Sequence, residues 1–117
     1  MKRGNIYDAR LDPTQGSEQA GNRPVIIVSR NAISAASSVV LAVPCTTYRQ
    51  GRRIYPSQVL IKAPEGGLTR DSIALAEQVR VLSKERILQH RGKLSEETLR
   101  KLDRALAIAL DLEKYSP

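Results

Sequence analysis

The 117-residue chain has no phenylalanine and no tryptophan, and its four tyrosines are Tyr7, Tyr48, Tyr55 and Tyr115. A core must therefore be built from aliphatic side chains, and so few aromatics argue against an extended stacking platform for nucleobases. Cysteine occurs once, at Cys45. An intramolecular disulfide is thus impossible, which fits a reducing compartment. One Cys and one His, His90, cannot supply the several N and S ligands of a zinc site within one chain, so no metal is expected. No lysine-bearing phosphate loop and no dinucleotide fingerprint occur, and no cofactor is expected. No apolar run approaches the roughly 18 residues that span a bilayer. Residues 1–6, MKRGNI, lack the apolar stretch of a signal peptide. The expectation is a soluble, cytoplasmic protein with no membrane partner.

What is present is length for one domain, 1–117, and a surplus of positive charge. A domain of this size buries roughly 65% of the surface of its unfolded chain, enough for one core. The formal net charge is +7, a field that attracts polyanions. The surplus is uneven. Residues 1–60 carry eight Lys/Arg against three Asp/Glu, whereas residues 95–117 carry four against five.

Residues 5–11 alternate loosely and read as a strand. Asp12-Pro13 ends it, and a Gly-containing polar loop follows over 14–22. Pro24 can begin a strand without spoiling its ladder, and 25–29 is β-branched and continuous, as a strand buried on both faces requires. Residues 31–38 suit a turn or short helix. A further strand is expected over 38–43, stopped by Pro44, and then a basic loop from Thr46 to Arg53. Residues 55–61 read as a strand and 63–67 as a turn. Residues 72–76 and 78–82 read as two short strands or one bent one. The spacing of Leu99, Leu102, Leu106, Ala109 and Leu110 predicts a helix over 96–112, with Ser95 as N-cap and Glu96 and Glu97 in its first turn. Strands followed by a terminal helix predict a mainly β (α+β), barrel-like domain.

Three features carry candidate chemistry. Arg23 stands between the polar loop and a buried strand, so its backbone should be held firmly while its guanidinium meets an anion. The bland alternative is a surface cation paired with Glu18. Thr46 and Thr47 follow the next apolar run; their hydroxyls can donate to a phosphate oxygen or bond locally. Arg49, Arg52 and Arg53, flanked by Tyr48 and Tyr55, can follow a curved phosphate backbone or form a solvated charge run. His90 lies among cations and far in sequence from both loops, which suits a solvated surface role. Cys45 fits a small buried residue at a strand end better than a nucleophile, which needs an electropositive site and a base.

The segments RGNIY (3–7), LDP (11–13), GSEQAGNRP (16–24), VPCTT (43–47) and DSIALAEQVR (71–80) together resemble the MazF/PemK toxins, in order and over nearly the whole chain. The resemblance implies an SH3-like β-barrel with helices, working as a homodimer. It implies a metal-independent endoribonuclease from a type II toxin–antitoxin pair, cutting single-stranded RNA at short sequences. By motif, Arg23 and Thr46 correspond to the catalytic pair, and Glu18, Gln19 and Gln78 to positions lining the RNA channel. Asn22 and the 47–55 loop vary among relatives and are expected to touch base selection, so Thr47, Tyr48, Arg49, Arg52 and Arg53 join the binding set. Such an enzyme can use the 2′-hydroxyl of RNA as its nucleophile, leaving a 2′,3′-cyclic phosphate and a 5′-hydroxyl. Glu18 is a base by charge type alone. A cationic channel of this kind is best blocked by an acidic antitoxin that folds on binding.

Two other readings stand beside this one. A non-catalytic RNA-binding module would use the same basic loop. A gyrase poison on the same fold is thought to need a C-terminal Trp, whereas this chain ends Tyr115-Ser116-Pro117.

Overall fold

The computed structural model describes residues 1–113; Tyr115, Ser116 and Pro117 lie outside them. The chain runs β1 (Asn5–Arg10), β2 (Asn22–Ile27), α1 (Asn31–Ala36), β3 (Val39–Thr47), β4 (Gln58–Ile61), β5 (Ser72–Leu75), β6 (Arg80–Ser83), β7 (Ile87–Lys93) and α2 (Glu96–Leu110). All pairings are antiparallel, in the order β4-β5-β3-β2-β1-β7, with β6 also on β3. The mainly β fold with a C-terminal helix agrees with expectation, although no ladder joins β7 to β4 and the bent sheet stays open.

β3 organises this sheet. Its first half pairs with β6 along one edge, Val39–Ala42 against Ser83–Arg80, and with β2 along the other, Ala42–Pro44 against Ile27–Val25. Its last three residues, Cys45–Thr47, pair with β5 only. Pro44 was expected to end the strand, but β3 runs through it. Pro44 sits where the β2 ladder finishes and the β5 ladder begins, a seam at which a missing N–H is tolerated. The 46–53 loop therefore starts later, after Thr47. β5 and β6 lie along one edge of β3, separated by a 3-10 turn at Ala76–Gln78, so the 72–82 segment is one bent path cut into two strands. β2 begins at Asn22, two residues before Pro24, so Arg23 lies inside it.

Both faces of the central strands are covered. Ile6, Ile26, Val43, Cys45, Ile61 and Ala74 pack beneath Leu102 and Ala105 of α2. On the opposite face Ala9, Val25, Ile27, Val40 and Leu82 close against one another as the sheet curls. The β-branched run of β2 is the consequence, since a strand buried on two faces has no polar alternation. α2 starts as expected: Ser95 Oγ accepts from Thr98 N–H at 3.2 Å. Glu65 adds a second layer, accepting from Ser95 N–H, Ser95 Oγ and Thr98 Oγ1. The helix ends at Leu110, with Asp111 in the left-handed conformation (φ 57°). Leu110 is exposed, unlike the other apolar positions of the expected helix stripe.

Residues 87–93 had no assignment from sequence. They form β7 because they border β1, and only a partner of long sequence separation reveals that.

Candidate active site

The end of the β2–β3 ladder opens a cavity of about 400 Å³. Val25 faces Pro44 in the last registered pair, and the same register carried two residues further sets Arg23 opposite Thr46. There β3 has turned to β5, so no ladder bond ties these ends together. Asn22, Arg23, Thr46 and Thr47 all line the resulting space.

Each of these side chains rises from a fixed backbone. Arg23 pairs with Ala9 of β1, and Asn22 with Arg10. Thr46 and Thr47 pair with Ile73 and Ser72 of β5. The ladder continues one step beyond, where Tyr48 N–H donates to the Asp71 carbonyl at 2.8 Å. The guanidinium of Arg23 is anchored once: its Nε donates to the Ala20 carbonyl at 3.1 Å. Among the described residues it forms no ion pair, and its terminal nitrogens have no protein acceptor. The Glu18 pairing considered above does not occur. Glu18 instead accepts from Gln15 N–H at 2.7 Å, closing its own loop.

The floor of the cavity is apolar, from Pro24, Cys45 and Leu68. Cys45 is fully buried there, and burial pushes its thiol up to about 12. It stays protonated at neutral pH and cannot act as a nucleophile. His90 is exposed, outside the cavity, with its ring 4.8 Å from that of Tyr7.

Other expected site residues lie elsewhere. Glu18, Gln19 and Gln78 share a smaller hollow of about 260 Å³ with Pro44, one residue from the cavity wall at Cys45. Gln78 works as a latch there. Its Oε1 accepts from Gln19 N–H at 2.9 Å and its Nε2 donates to the Ser17 carbonyl at 3.2 Å, tying the 11–21 loop to the turn between β5 and β6. Tyr48 is half-buried beyond the end of β3, while Arg49, Arg52 and Arg53 are exposed on the β3–β4 connection. None of the four lines the cavity. Arg53 lies over the Tyr55 ring, 5.0 Å from its centroid, and covers one of the rings expected to stack on bases.

Several cavity residues were not read from sequence: Asp8, Thr69, Arg70, Ser72, Gln89 and Arg91. Arg70 had a local signal. Like Arg23, it is a cation just ahead of a buried strand, here Ser72–Leu75. Asp8 and Arg91 had none, since they are 83 residues apart and meet only through β1–β7 pairing, at 2.9 Å.

The sequence matches the family described as PemK-like, MazF-like toxin of type II toxin-antitoxin system over residues 2–110. The chain belongs to this family of toxins. Endoribonuclease MazF9 of Mycobacterium tuberculosis is 39% identical to it over a 117-position alignment that covers 96% of this chain and 98% of that protein. Among solved structures, an endoribonuclease in complex with its cognate antitoxin from Mycobacterial species is 30% identical, with a TM-score of 0.79 over 96% of each chain. MazF from Deinococcus radiodurans, 24% identical, superposes with a TM-score of 0.80 over 95% of this chain and 96% of that one, and shows the shared fold. In this MazF-like toxin, then, the cavity sits where the family motifs GSEQAGNRP and VPCTT converge.

Proposed function

We propose that this toxin is a metal-independent endoribonuclease of single-stranded RNA, with Arg23 and Thr46 as its catalytic pair. One observation carries the reading: the two residues come from different strands, yet both line one cavity, and among the described residues Arg23 is in no salt bridge. The relative named as an endoribonuclease, 39% identical over nearly the full length of both chains, supports the activity.

The chemistry follows from the substrate's own nucleophile. An RNA held so that its 2′-hydroxyl stands in line with the adjacent phosphorus needs no nucleophile from the protein. Attack builds negative charge on the phosphoryl oxygens. The Arg23 guanidinium meets that charge with a planar pair of donors, and the Thr46 hydroxyl adds a third. One donor of this type contributes about 3–4 kcal/mol of transition-state stabilisation. An arginine side chain is a poor general base, so Arg23 serves as a charge stabiliser. Asn22 and Thr47, on the same rim, contact the nucleotide. Glu18, Gln19 and Gln78 shape the adjoining hollow, and Tyr48 with Arg49, Arg52 and Arg53 guides the strand beyond it.

Residues 1–117 act as one toxin domain in the cytoplasm; no helix among the described residues is long and apolar enough to cross a membrane. The partner antitoxin is an acidic segment that competes with RNA for this cationic surface. A homodimer forms through apolar surface that the single chain leaves open. Leu41 and Val81 face each other in the β3–β6 ladder, 43% and 56% exposed, with Ile33 of α1 also exposed. Val81 is thus the part of the 72–82 segment available for that contact, because β5 is buried.

The test is digestion of a long defined single-stranded RNA in excess EDTA, followed by end-group analysis. The expected products are 2′,3′-cyclic phosphate and 5′-hydroxyl ends at a recurring short sequence. Intact RNA that is nonetheless bound would make the protein a binding module instead.

A further inference from the structure

One wall of the cavity takes no part in the chemistry above. It is β7, whose pairing with β1 is broken twice. Ile6 and Tyr7 pair with Gly92 and His90, leaving Arg91 without a partner. Tyr7 and Ala9 pair with His90 and Ile87, so Asp8 alone faces Leu88 and Gln89. Bulges of this kind bend a strand and re-aim its side chains. Leu88, Gln89 and Arg91, the displaced residues, are the ones β7 contributes to the cavity.

Arg91 is bonded to the protein through all three guanidinium nitrogens. Its Nε and Nη2 donate to the Gly67 carbonyl at 3.2 and 2.9 Å, and its Nη1 donates to Asp8 Oδ1 at 2.9 Å. Gly67 has a φ of +75°, and a Cβ there would collide with the Arg91 carbonyl, so turn and strand are held in close contact. The Nε/Nη2 fork of Arg91 is thus occupied by Gly67, and its charge is met by Asp8. What it fixes is Asp8, the only carboxylate among the described residues that line the cavity. Among the described residues, no donor reaches Asp8 Oδ2.

A carboxylate beside Arg23 and Arg70 opposes phosphate binding, so it must serve another part of a nucleotide. The exposed Leu88 and the half-buried Pro24 give the same cavity an apolar surface that suits the flat body of a base. An ionised carboxylate only accepts hydrogen bonds. Guanine, adenine and cytosine present an exocyclic amino donor. Uracil presents one N–H between two carbonyl oxygens, and those oxygens would face the carboxylate lone pairs. We infer that Asp8, positioned by Arg91, reads the amino group of a nucleobase in this cavity and rejects uracil at that place. The inference rests on single-stranded RNA as the substrate and adds the class of base.

Selection from a randomised 2′-fluoro RNA pool tests it, because fluorine removes the nucleophile and binding is read apart from cleavage. The wild-type protein should deplete uracil at one position by about tenfold. Asp8→Asn keeps a carbonyl for Arg91 but gains an amide donor, and should lose that depletion. A second arm needs no variant: oligonucleotides whose selected base lacks only its amino group should bind the wild type about tenfold more weakly. No uracil depletion, an unchanged preference in Asp8→Asn, or full binding of the amino-less base would each overturn the proposal. Slower cleavage by Asp8→Asn with unchanged base preference would also overturn it, marking Asp8 as a proton acceptor. Base selection as expected, with natural RNA left uncut, would uphold Asp8 and sink the nuclease reading.

Discussion

Two arginine-bearing regions of this toxin, the strand that carries Arg23 and the β3–β4 connection, differ in how much of the fold stands behind them. Arg23 is the second residue of a strand whose continuation is buried on both faces, and its Nε is tied to the Ala20 carbonyl. Arg49, Arg52 and Arg53 sit on the exposed connection between β3 and β4, where the backbone bonds of the turn are local, such as Arg52 N–H to the Arg49 carbonyl at 3.0 Å. A charge held by strands can be placed against one phosphoryl group, and its effect appears in the rate. A charge on an open loop follows whatever backbone passes, and its effect appears in affinity and salt dependence. Equal formal charge thus does unequal chemistry, and the difference lies in preorganisation.

The largest break in that comparison should come from Arg23→Ala. Loss of the central donor is expected to lower the cleavage rate by at least about a hundredfold. The fold should survive, because the side chain makes a single protein hydrogen bond at the surface. Single-turnover kinetics alongside circular dichroism separate the two effects; a folded variant that still cuts at the wild-type rate removes Arg23 from the chemistry. Thr46→Ala should be milder, since a neutral hydroxyl contributes less than a guanidinium, with a loss of about tenfold. An unchanged single-turnover rate would take Thr46 out of the cavity's work.

The loop sharpens the comparison from the other side. Replacing Arg49, Arg52 and Arg53 together by Ala should leave the single-turnover rate at saturating RNA within a few-fold of wild type. It should reduce the slope of log affinity against log salt by about 2, as expected for three lost contacts to a single strand. A collapse of the saturated rate would show that the loop serves the chemical step as directly as Arg23 does.

The smallest effect concerns Cys45. Its thiol ionises at 9.0 when exposed and is pushed up to about 12 by burial. Between those values the unfolded chain releases a proton that the native one retains, so stability is intact below pH 9 and falls as pH rises toward 12. The decline should be steeper in wild type than in Cys45→Ala, as measured by urea unfolding across that range. At pH 8 a thiol reagent should label Cys45 only after denaturant is added; rapid labelling of the native protein would contradict its burial.

Much of the architecture was legible because local patterns are physical. The β-branched run from Val25 requires burial on two faces, and the Ser95 cap with its apolar helical spacing requires a helix against the sheet. Pro44 misled because a proline ends a strand only where the ladder needs its N–H, and whether it does depends on which partners flank that position. β7 was invisible for a related reason: its exposed residues carry no alternation, and β1, its partner, is about 80 residues away in the chain.

The sequence by itself determined the family, the aliphatic core and the terminal helix, and it carries the motifs on which Arg23 and Thr46 are proposed, because motif spacing and side-chain period are properties of the chain. Only the tertiary structure decided that Arg23 and Thr46 line one cavity at the point where β3 exchanges β2 for β5, that Gln78 latches the first loop, and that Asp8 and Arg91 pair within the same lining. Each of those depends on ladder register between distant segments, and register is set by how the whole sheet buries its two faces.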